Sequence, residues 1–516
     1  MPTEKSGNPQ EKPNIIWIQT DQHNLNVMGA YGDPIVLTPN LDSLASRGSL
    51  IRGAYCASPI CVPSRMSLIT GMYPHETEVW TNDQMLNSSI PTVAHALGAA
   101  GYKPIQIGRM HFNGVDQKHG FSERLVGDHG PNYPGSPRTV SHGILSGTTG
   151  PDRTSLVKSG KGQNAYQIHD ELVAQTAATY IDRLGSEKRA GKLDQPIFLS
   201  IGLMLPHQPF VAQSQDFDRY VGKVDLPEIP PDRIESCHPY IRWWRDRTGI
   251  TTVNKEEVLR ARVAYWALCD RTDQIIGNIL DSLRSNGFIQ DSLIIYTSDH
   301  GEQLGQHGLW WKQTFYENSA LVPALIVWPG HIPENQMLDK VINQFDLTST
   351  ILDAAGSPDL PRSHGRSMLD MLNKKGDGWE DIAFSEYCMN DSDYGRTYSP
   401  NLGGGDVHAK PGGVQNRMIR SGPWKLNYYH GYDPQLFNLQ EDPLEMLDRN
   451  KDPGCSAIRA ELLDRILDGW NPDNVHDRMR LLKEEQIITE DWAHNVDPAD
   501  ELRWEFDEAL DQLCGQ

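Results

Sequence analysis

Cysteine is scarce and unpatterned in this 516-residue chain, with seven residues, an odd number, and no C-x-x-C pair among them. That excludes a disulfide framework or a zinc ribbon as the organising device. Positive charge is short as well. Lys and Arg number 47 against 68 Asp and Glu, a formal net charge of −21, and the isoelectric point is near 5.3. A surface of that sign repels nucleic acid and anionic membrane as a whole, so neither is an expected partner. An anionic substrate has to be held by a local cluster of cations. No apolar run approaches the length of a bilayer span, and residues 1–12 are polar with no apolar signal core. The expectation is a soluble, cytoplasmic protein. Internal repeats and extended low-complexity segments are also missing.

What the chain does have is alternation. Buried-strand patterns at residues 14–19, 103–107, 196–203, 293–297 and 324–328 are separated by helical patterns, among them 170–184 and a long one at about 255–286. This predicts an α/β architecture, a large mainly parallel sheet flanked by helices. Residues 112–165, rich in Gly, Pro, His and Ser, read as a long irregular insertion of the type found over active sites. From about residue 376 the texture changes to short antiparallel strands, near 418–420, 424–429 and 435–439. A helix near 455–470 and an acidic, helical tail follow. The division predicted is a catalytic α/β domain over 1–375 and a smaller α+β domain over 376–516. The tail is expected on its own chain, with a neighbouring copy as the other candidate and a homo-oligomer as the consequence.

Several chemically able residues fall just after predicted strands, where ligands bind in open sheets of this kind. These are Asp21-Gln22, Gly108-Arg109-Met110-His111, Pro206-His207-Gln208-Pro209-Phe210 and Asp299-His300. The most specific string is Cys61-Val62-Pro63-Ser64-Arg65-Met66-Ser67-Leu68-Ile69-Thr70-Gly71. Pro63 suits a first helical turn and Gly71 its far end, which places Cys61 at a helix N-terminus. Unpaired N–H groups and the dipole there favour a nucleophile carrying negative charge, and Arg65 stands one turn above it.

That string resembles the sulfatase signature C-x-P-S-R followed by T-G, and the other motifs occur in the order found in that family. The resemblance implies an alkaline-phosphatase-like fold and oxidation of Cys61 to formylglycine by a formylglycine-generating enzyme. It also implies one divalent cation held by Asp21, Gln22, Asp299, His300 and the modified Cys61, with calcium first and manganese or magnesium next. Gln22 and His300 depart from the Asp and Asn that many sulfatases carry, which removes one negative charge and adds a softer ligand. Arg109 stands where G-K-x-H has lysine, and Lys312 takes the place of the second active-site lysine. Asn82 resembles a side chain that touches the bound anion. By analogy Arg65, Arg109 and Lys312 stabilise the sulfate oxygens, and His207 with Lys312 protonates the leaving oxygen. His111 then takes a proton from the second hydroxyl of the formylglycine hydrate.

The segment from Gly108 to Phe121 is also similar to choline sulfatases. The implied activity is hydrolysis of a small anionic sulfate ester. Gln22 and His300 suggest a phosphonate monoester or phosphodiester hydrolase as the alternative, and an inactive anion-binding relative is the remote one. Trp310 and Trp311, which abut Lys312, are expected either at the substrate entrance or in the core. Because Asp299 follows a strand end, Asp299→Ala is expected to stay folded. His23, His75 and His119 are expected to be structural.

Overall fold

The computed structural model describes residues 12–138, 140–229, 237–375, 378–390 and 413–514. Its centre is an eight-stranded sheet built from β1 (Asn14–Asp21), β2 (Ser49–Tyr55), β3 (Lys103–Gly108), β4 (Glu123–Leu125), β6 (Ile197–Pro206), β8 (Ser292–Ser298), β9 (Ala324–Val327) and β10 (Gln336–Asn343). The strand order is β10-β2-β9-β8-β1-β6-β3-β4. All neighbouring pairs are parallel except those made by β9, which runs antiparallel to both β2 and β8.

The central strands are apolar on both faces because both faces are covered. In β1, Ile16 and Ile18 join one core cluster with the helices Ala165–Arg189 and Lys255–Ser285. Ile15 and Trp17 point the other way, onto Val62 and Met66 of the helix Cys61–Thr70 and Leu347 and Ile351 of the helix Asp346–Ala354. The same two-residue alternation divides Ile294 and Tyr296 from Leu293 and Ile295 in β8.

A second sheet, β11 (Ile382–Met389), β12 (Val414–Ser421), β13 (Trp424–Tyr429) and β14 (Gln435–Asn438), is antiparallel throughout and carries the helix Ser456–Leu467. The chain then leaves this sheet. After the helix Pro472–Val496 it crosses back to the residues 112–165 that were predicted to be irregular. There Trp504 N donates to Asp128 O at 2.9 Å. His142 Nδ1 meets Asp511 Oδ2, also at 2.9 Å. Finally β15 (Gln512–Leu513) pairs with β5 (Gly160–Gln163), which also pairs with β7 (Val211–Ala212). The tail thus packs on residues 128–163 of its own chain. No helix among the described residues is long and apolar enough to cross a membrane.

Candidate active site

The C-terminal ends of β1, β3, β6 and β8 meet at one edge of the large sheet, so topology brings the four motifs together. Thr20 is in register with Ser298, which sets Asp21 beside Asp299. Gly108 is in register with Gly202. A Cβ on Gly202 would fall 1.7 Å from the Arg109 carbonyl oxygen, so only glycine lets Arg109 cross over β6 into the site. The helix Cys61–Thr70 enters from the other side and is buried along its whole length. Gly71 ends it in the left-handed region at φ +73°, with its N–H on Ser67 O at 2.8 Å.

At the helix start Cys61 Sγ lies 3.3 Å from His300 Nε2, 3.3 Å from Lys312 Nζ and 3.7 Å from Asp21 Oδ1. Ligand atoms of Asp21, Cys61, Asp299 and His300 all lie within 4.8 Å of one another. Their outer sides are tied down and their inner sides converge. Arg65 spans both carboxylates, with Nε on Asp299 Oδ2 at 2.9 Å and Nη2 on Asp21 Oδ2 at 3.1 Å. Arg109 Nε adds a bond to Asp21 Oδ2 at 2.7 Å. Burial acts to raise the Asp21 carboxyl, but Arg109, His207, Arg65 and Lys312 outweigh it and hold the group ionised, well below the usual range.

His300 Nδ1 lies 3.0 Å from the Gly301 carbonyl oxygen, which only accepts, so Nδ1 carries the proton and the Nε2 lone pair faces the cluster. Burial brings the His300 pKa down to about 4, keeping the ring neutral. Two fixed carboxylates and an imidazole in its ligating tautomer make a donor set that fits a hard or borderline divalent cation. Gln22 belongs to the same wall, with Oε1 accepting from Lys312 Nζ at 2.6 Å.

Positive charge completes the site. Arg109 Nη1 is buried and makes no hydrogen bond, standing 3.6 Å from Asp128 Oδ1 as an ion pair, and the rest of this guanidinium is held by Asp21 and by His111 Nδ1, 3.0 Å from Nη2. Because arginine only donates, His111 Nδ1 is an acceptor here, and burial with the Arg109 charge keeps the His111 pKa well below the ordinary histidine value. His207 Nδ1 donates to Gln208 O at 2.6 Å, leaving Nε2 to accept from Lys312 at 2.9 Å.

A cleft of about 360 Å³ opens beside His207 and Lys312, lined by Thr81, Asn82, Asp83, Thr149, Asp152 and Gln313 among others. Asn82 Oδ1 accepts from the Val62 N–H at 3.0 Å, which fixes this side chain at the start of the signature helix. Trp310 and Trp311 do not line the cleft. Both are core residues, Trp310 against Phe210 at 5.7 Å and Trp311 donating Nε1 to Ser155 Oγ at 3.0 Å. His23 is fully buried on Tyr296 and Val27, His75 pairs with Glu386, and His119 packs on Phe112. All three lie outside the cluster.

Sequence reasoning missed the residues behind the site. Asp128 Oδ2 receives the His111 N–H at 2.9 Å and Arg124 Nη2 at 2.6 Å. Gln208 and Glu302 hold the Gln22 amide. Glu302 lies two residues beyond His300 in the chain, but nothing local ties it to a glutamine at the end of β1.

The sulfatase family profile matches residues 13–357. A choline-sulfatase of Rhizobium meliloti (strain 1021) is 32% identical over 468 residues, covering 87% of this chain and 85% of its own length. Arylsulfatase K of Gallus gallus is 28% identical over 453 residues, 84% of this chain and 78% of that protein. The crystal structure of a phosphonate monoester hydrolase of Agrobacterium radiobacter superposes with a TM-score of 0.71 at 22% identity, covering 90% of this chain and 96% of that one, a likeness of fold. The chain belongs to the sulfatase family and is a sulfuric ester hydrolase.

Proposed function

We propose that the protein hydrolyses a small sulfate ester to alcohol and inorganic sulfate. In this reading Cys61 is oxidised to formylglycine, and one divalent cation, calcium first and manganese or magnesium next, is held by Asp21, Gln22, Asp299 and His300. The observation that carries it is the convergence of Asp21 Oδ1, His300 Nε2 and Cys61 Sγ under Arg65, Arg109 and Lys312. When bound, the cation supplies polarisation of the nucleophile and of the sulfate oxygens. Hydrated formylglycine supplies two hydroxyls on one carbon, one to attack sulfur and one to expel sulfate.

The side chains of the site do the rest. Arg109 offers a sulfate oxygen its Nη1, which at rest makes no hydrogen bond and only a 3.6 Å ion pair with Asp128 Oδ1, and Lys312 reaches another, so that charge is met by positioned donors in a buried site. Lys312 and His207, joined at 2.9 Å, deliver the proton to the leaving oxygen. His111 is the base for the second hydroxyl, and its Nδ1, which accepts from Arg109 Nη2 at 3.0 Å, carries the lone pair that takes the proton.

Gln22 and His300 favour phosphonate monoester hydrolysis as the second reading, because a neutral ligand at position 22 changes the charge the site offers its substrate. Turnover of an aryl sulfate against the matching aryl phosphonate monoester separates the two. Mass spectrometry of the tryptic peptide from Gly53 to Arg65 tests the modification. An unmodified thiol at Cys61 in fully active protein would end the formylglycine reading.

A further inference from the structure

Gln22 takes an ordinary amide into a place where orientation decides everything. Its backbone is fixed first. It adopts φ +65°, in the left-handed region that a side chain rarely enters. Its N–H donates to Asp299 Oδ1 at 3.0 Å and its carbonyl accepts from Tyr265 Oη at 2.6 Å. What remains free is the choice of which end of the carboxamide faces Cys61 and which faces away. A carboxamide turned the wrong way would aim an NH2 at the cation position and at the Lys312 ammonium.

Glu302 removes that choice. It is fully buried, and its Oε2 accepts a short hydrogen bond from Gln22 Nε2. A carboxylate has no proton to donate, so only the NH2 end of Gln22 can face it. The second hydrogen of the amide goes to Gln208 Oε1 at 2.6 Å, and Gln208 is itself oriented by donating Nε2 to Thr149 O at 3.0 Å. With both hydrogens committed, Gln22 Oε1 is the end that meets Lys312 Nζ beside Cys61.

The other carboxylate oxygen, Glu302 Oε1, takes the N–H groups of Leu304 at 3.0 Å and Trp311 at 2.6 Å. Trp311 precedes Lys312 in the chain, so one buried carboxylate braces both partners of the Gln22–Lys312 contact. The hydrogen bond also has an electronic consequence. An amide whose NH2 is bonded to a carboxylate carries more negative charge on its oxygen, because hydrogen-bonded groups polarise one another in a medium of low dielectric.

We propose that Glu302 is the positioning residue of the metal site, holding Gln22 with its oxygen inward and supplying, one residue further out, the negative charge that Gln22 lacks. The assignment rests on the reading of Asp21, Gln22, Asp299 and His300 as cation ligands.

The test is a calorimetric titration of calcium and of manganese into metal-stripped protein, with the melting temperature followed alongside. Glu302→Gln keeps the shape and removes the directing charge. It is expected to weaken cation binding about 10–100-fold, the usual cost of losing a partner that orients a ligand, while the fold is kept. In a Gln22→Ala background the same substitution is expected to change affinity less than about twofold, since its effect passes through Gln22. The exchanged pair Gln22→Glu with Glu302→Gln returns a carboxylate to the inner position with an amide behind it, and is expected to recover most of the lost affinity. Glu302→Asp, which keeps the charge but withdraws it by one methylene, serves if the glutamine variant does not fold, and is expected to bind the cation more weakly as well.

Wild-type affinity in Glu302→Gln or Glu302→Asp, or a full further loss in the Gln22→Ala background, overturns the proposal and leaves the metal site standing. Failure of the unaltered protein to bind either cation rejects the metal reading itself, and this assignment with it.

Discussion

Lys312 Nζ donates to His207 Nε2 across 2.9 Å, while His207 Nδ1 is spent on the Gln208 carbonyl oxygen 2.6 Å away. The direction of proton flow is thereby set at rest. The ammonium holds the proton, the imidazole is a neutral acceptor, and burial with the Lys312 charge depresses the His207 pKa. A leaving oxygen placed between them receives a proton without either group first having to change tautomer.

His207→Asn is therefore expected to separate substrates by their leaving groups. An alkyl sulfate releases a basic alkoxide and needs the proton, so kcat/KM on it is expected to fall about 10²–10⁴-fold, the usual worth of general acid catalysis. A nitrophenyl sulfate releases a weakly basic phenoxide and is expected to lose no more than about tenfold of that. Steady-state kinetics on the pair check the assignment, and equal losses on both would place His207 in binding rather than in proton transfer.

Asp299 shows why the expected tolerance of Asp299→Ala has to be revised. It follows a strand end, yet it is fully buried and ion-paired to an equally buried Arg65. Removing the carboxylate leaves the guanidinium with Asp21 as its one remaining carboxylate partner, and breaking a buried pair in this way costs about 3–5 kcal/mol. Chemical denaturation is expected to show that loss in Asp299→Ala, along with loss of cation binding. Asp299→Asn keeps an acceptor for the backbone N–H groups and is expected to remain closer to wild-type stability while still losing the cation. Wild-type stability in the alanine variant would contradict the burial argument.

The part of this site that was legible in the sequence is the part whose chemistry is local. Cys61, Pro63, Ser64 and Arg65 act within one helical turn, so spacing alone placed the cysteine at a helix start. Asp21 and Asp299 were each visible as a residue after a strand, but their adjacency depends on β1 lying beside β8, a strand order that no local pattern encodes. Glu302 was illegible for the same reason, since its partner Gln22 is 280 residues away.

Fold features divide likewise. The apolar runs of β6 and β8 announced themselves, whereas β2 went unrecognised because Arg52 and Gly53 interrupt it, and β10 because Asp339 and Lys340 interrupt it and its first half is not buried. The tail read as acidic and helical. Its return to pair Gln512 with Gln163 is a tertiary event with no signal in either segment.

His119 lends itself to a test of linkage away from the catalytic cluster. It is buried against Phe112, faces Asp116 at 3.4 Å, and has His95 and Arg124 as the nearby cations. Burial brings its pKa down to about 4, with Asp116 acting against the shift and His95 and Arg124 adding to it. A depressed histidine pKa means that the unfolded chain binds the extra proton first. Stability from this residue is complete above about pH 6.5 and is lost as pH falls toward about 4. Urea unfolding at pH 7 and pH 4.5 is expected to show a drop smaller by about 2–3 kcal/mol in His119→Gln than in the wild type. An identical drop in both proteins would mean that His119 is protonated in the fold.

Cys61→Ser tests the two-hydroxyl argument at its root. The substituted side chain keeps one oxygen at the start of the helix Cys61–Thr70, within reach of Lys312 and His300, and the signature then has no thiol for the cysteine-specific oxidation. A single hydroxyl at this place can still attack sulfur once, because Arg65 and Arg109 remain to hold the acids and the sulfate. It cannot collapse afterwards. His111 has no second hydroxyl from which to take a proton, and the sulfate ester on serine has no neighbouring oxygen to expel it. The expected outcome is at most one slow turnover per site, with a sulfate group left on residue 61 and seen as added mass in the intact protein. A serine hydrolase or phosphatase mechanism predicts the reverse, repeated turnover through attack by water on the ester. Sustained turnover of Cys61→Ser near the wild-type rate would exclude the formylglycine route, whichever alcohol the substrate carries.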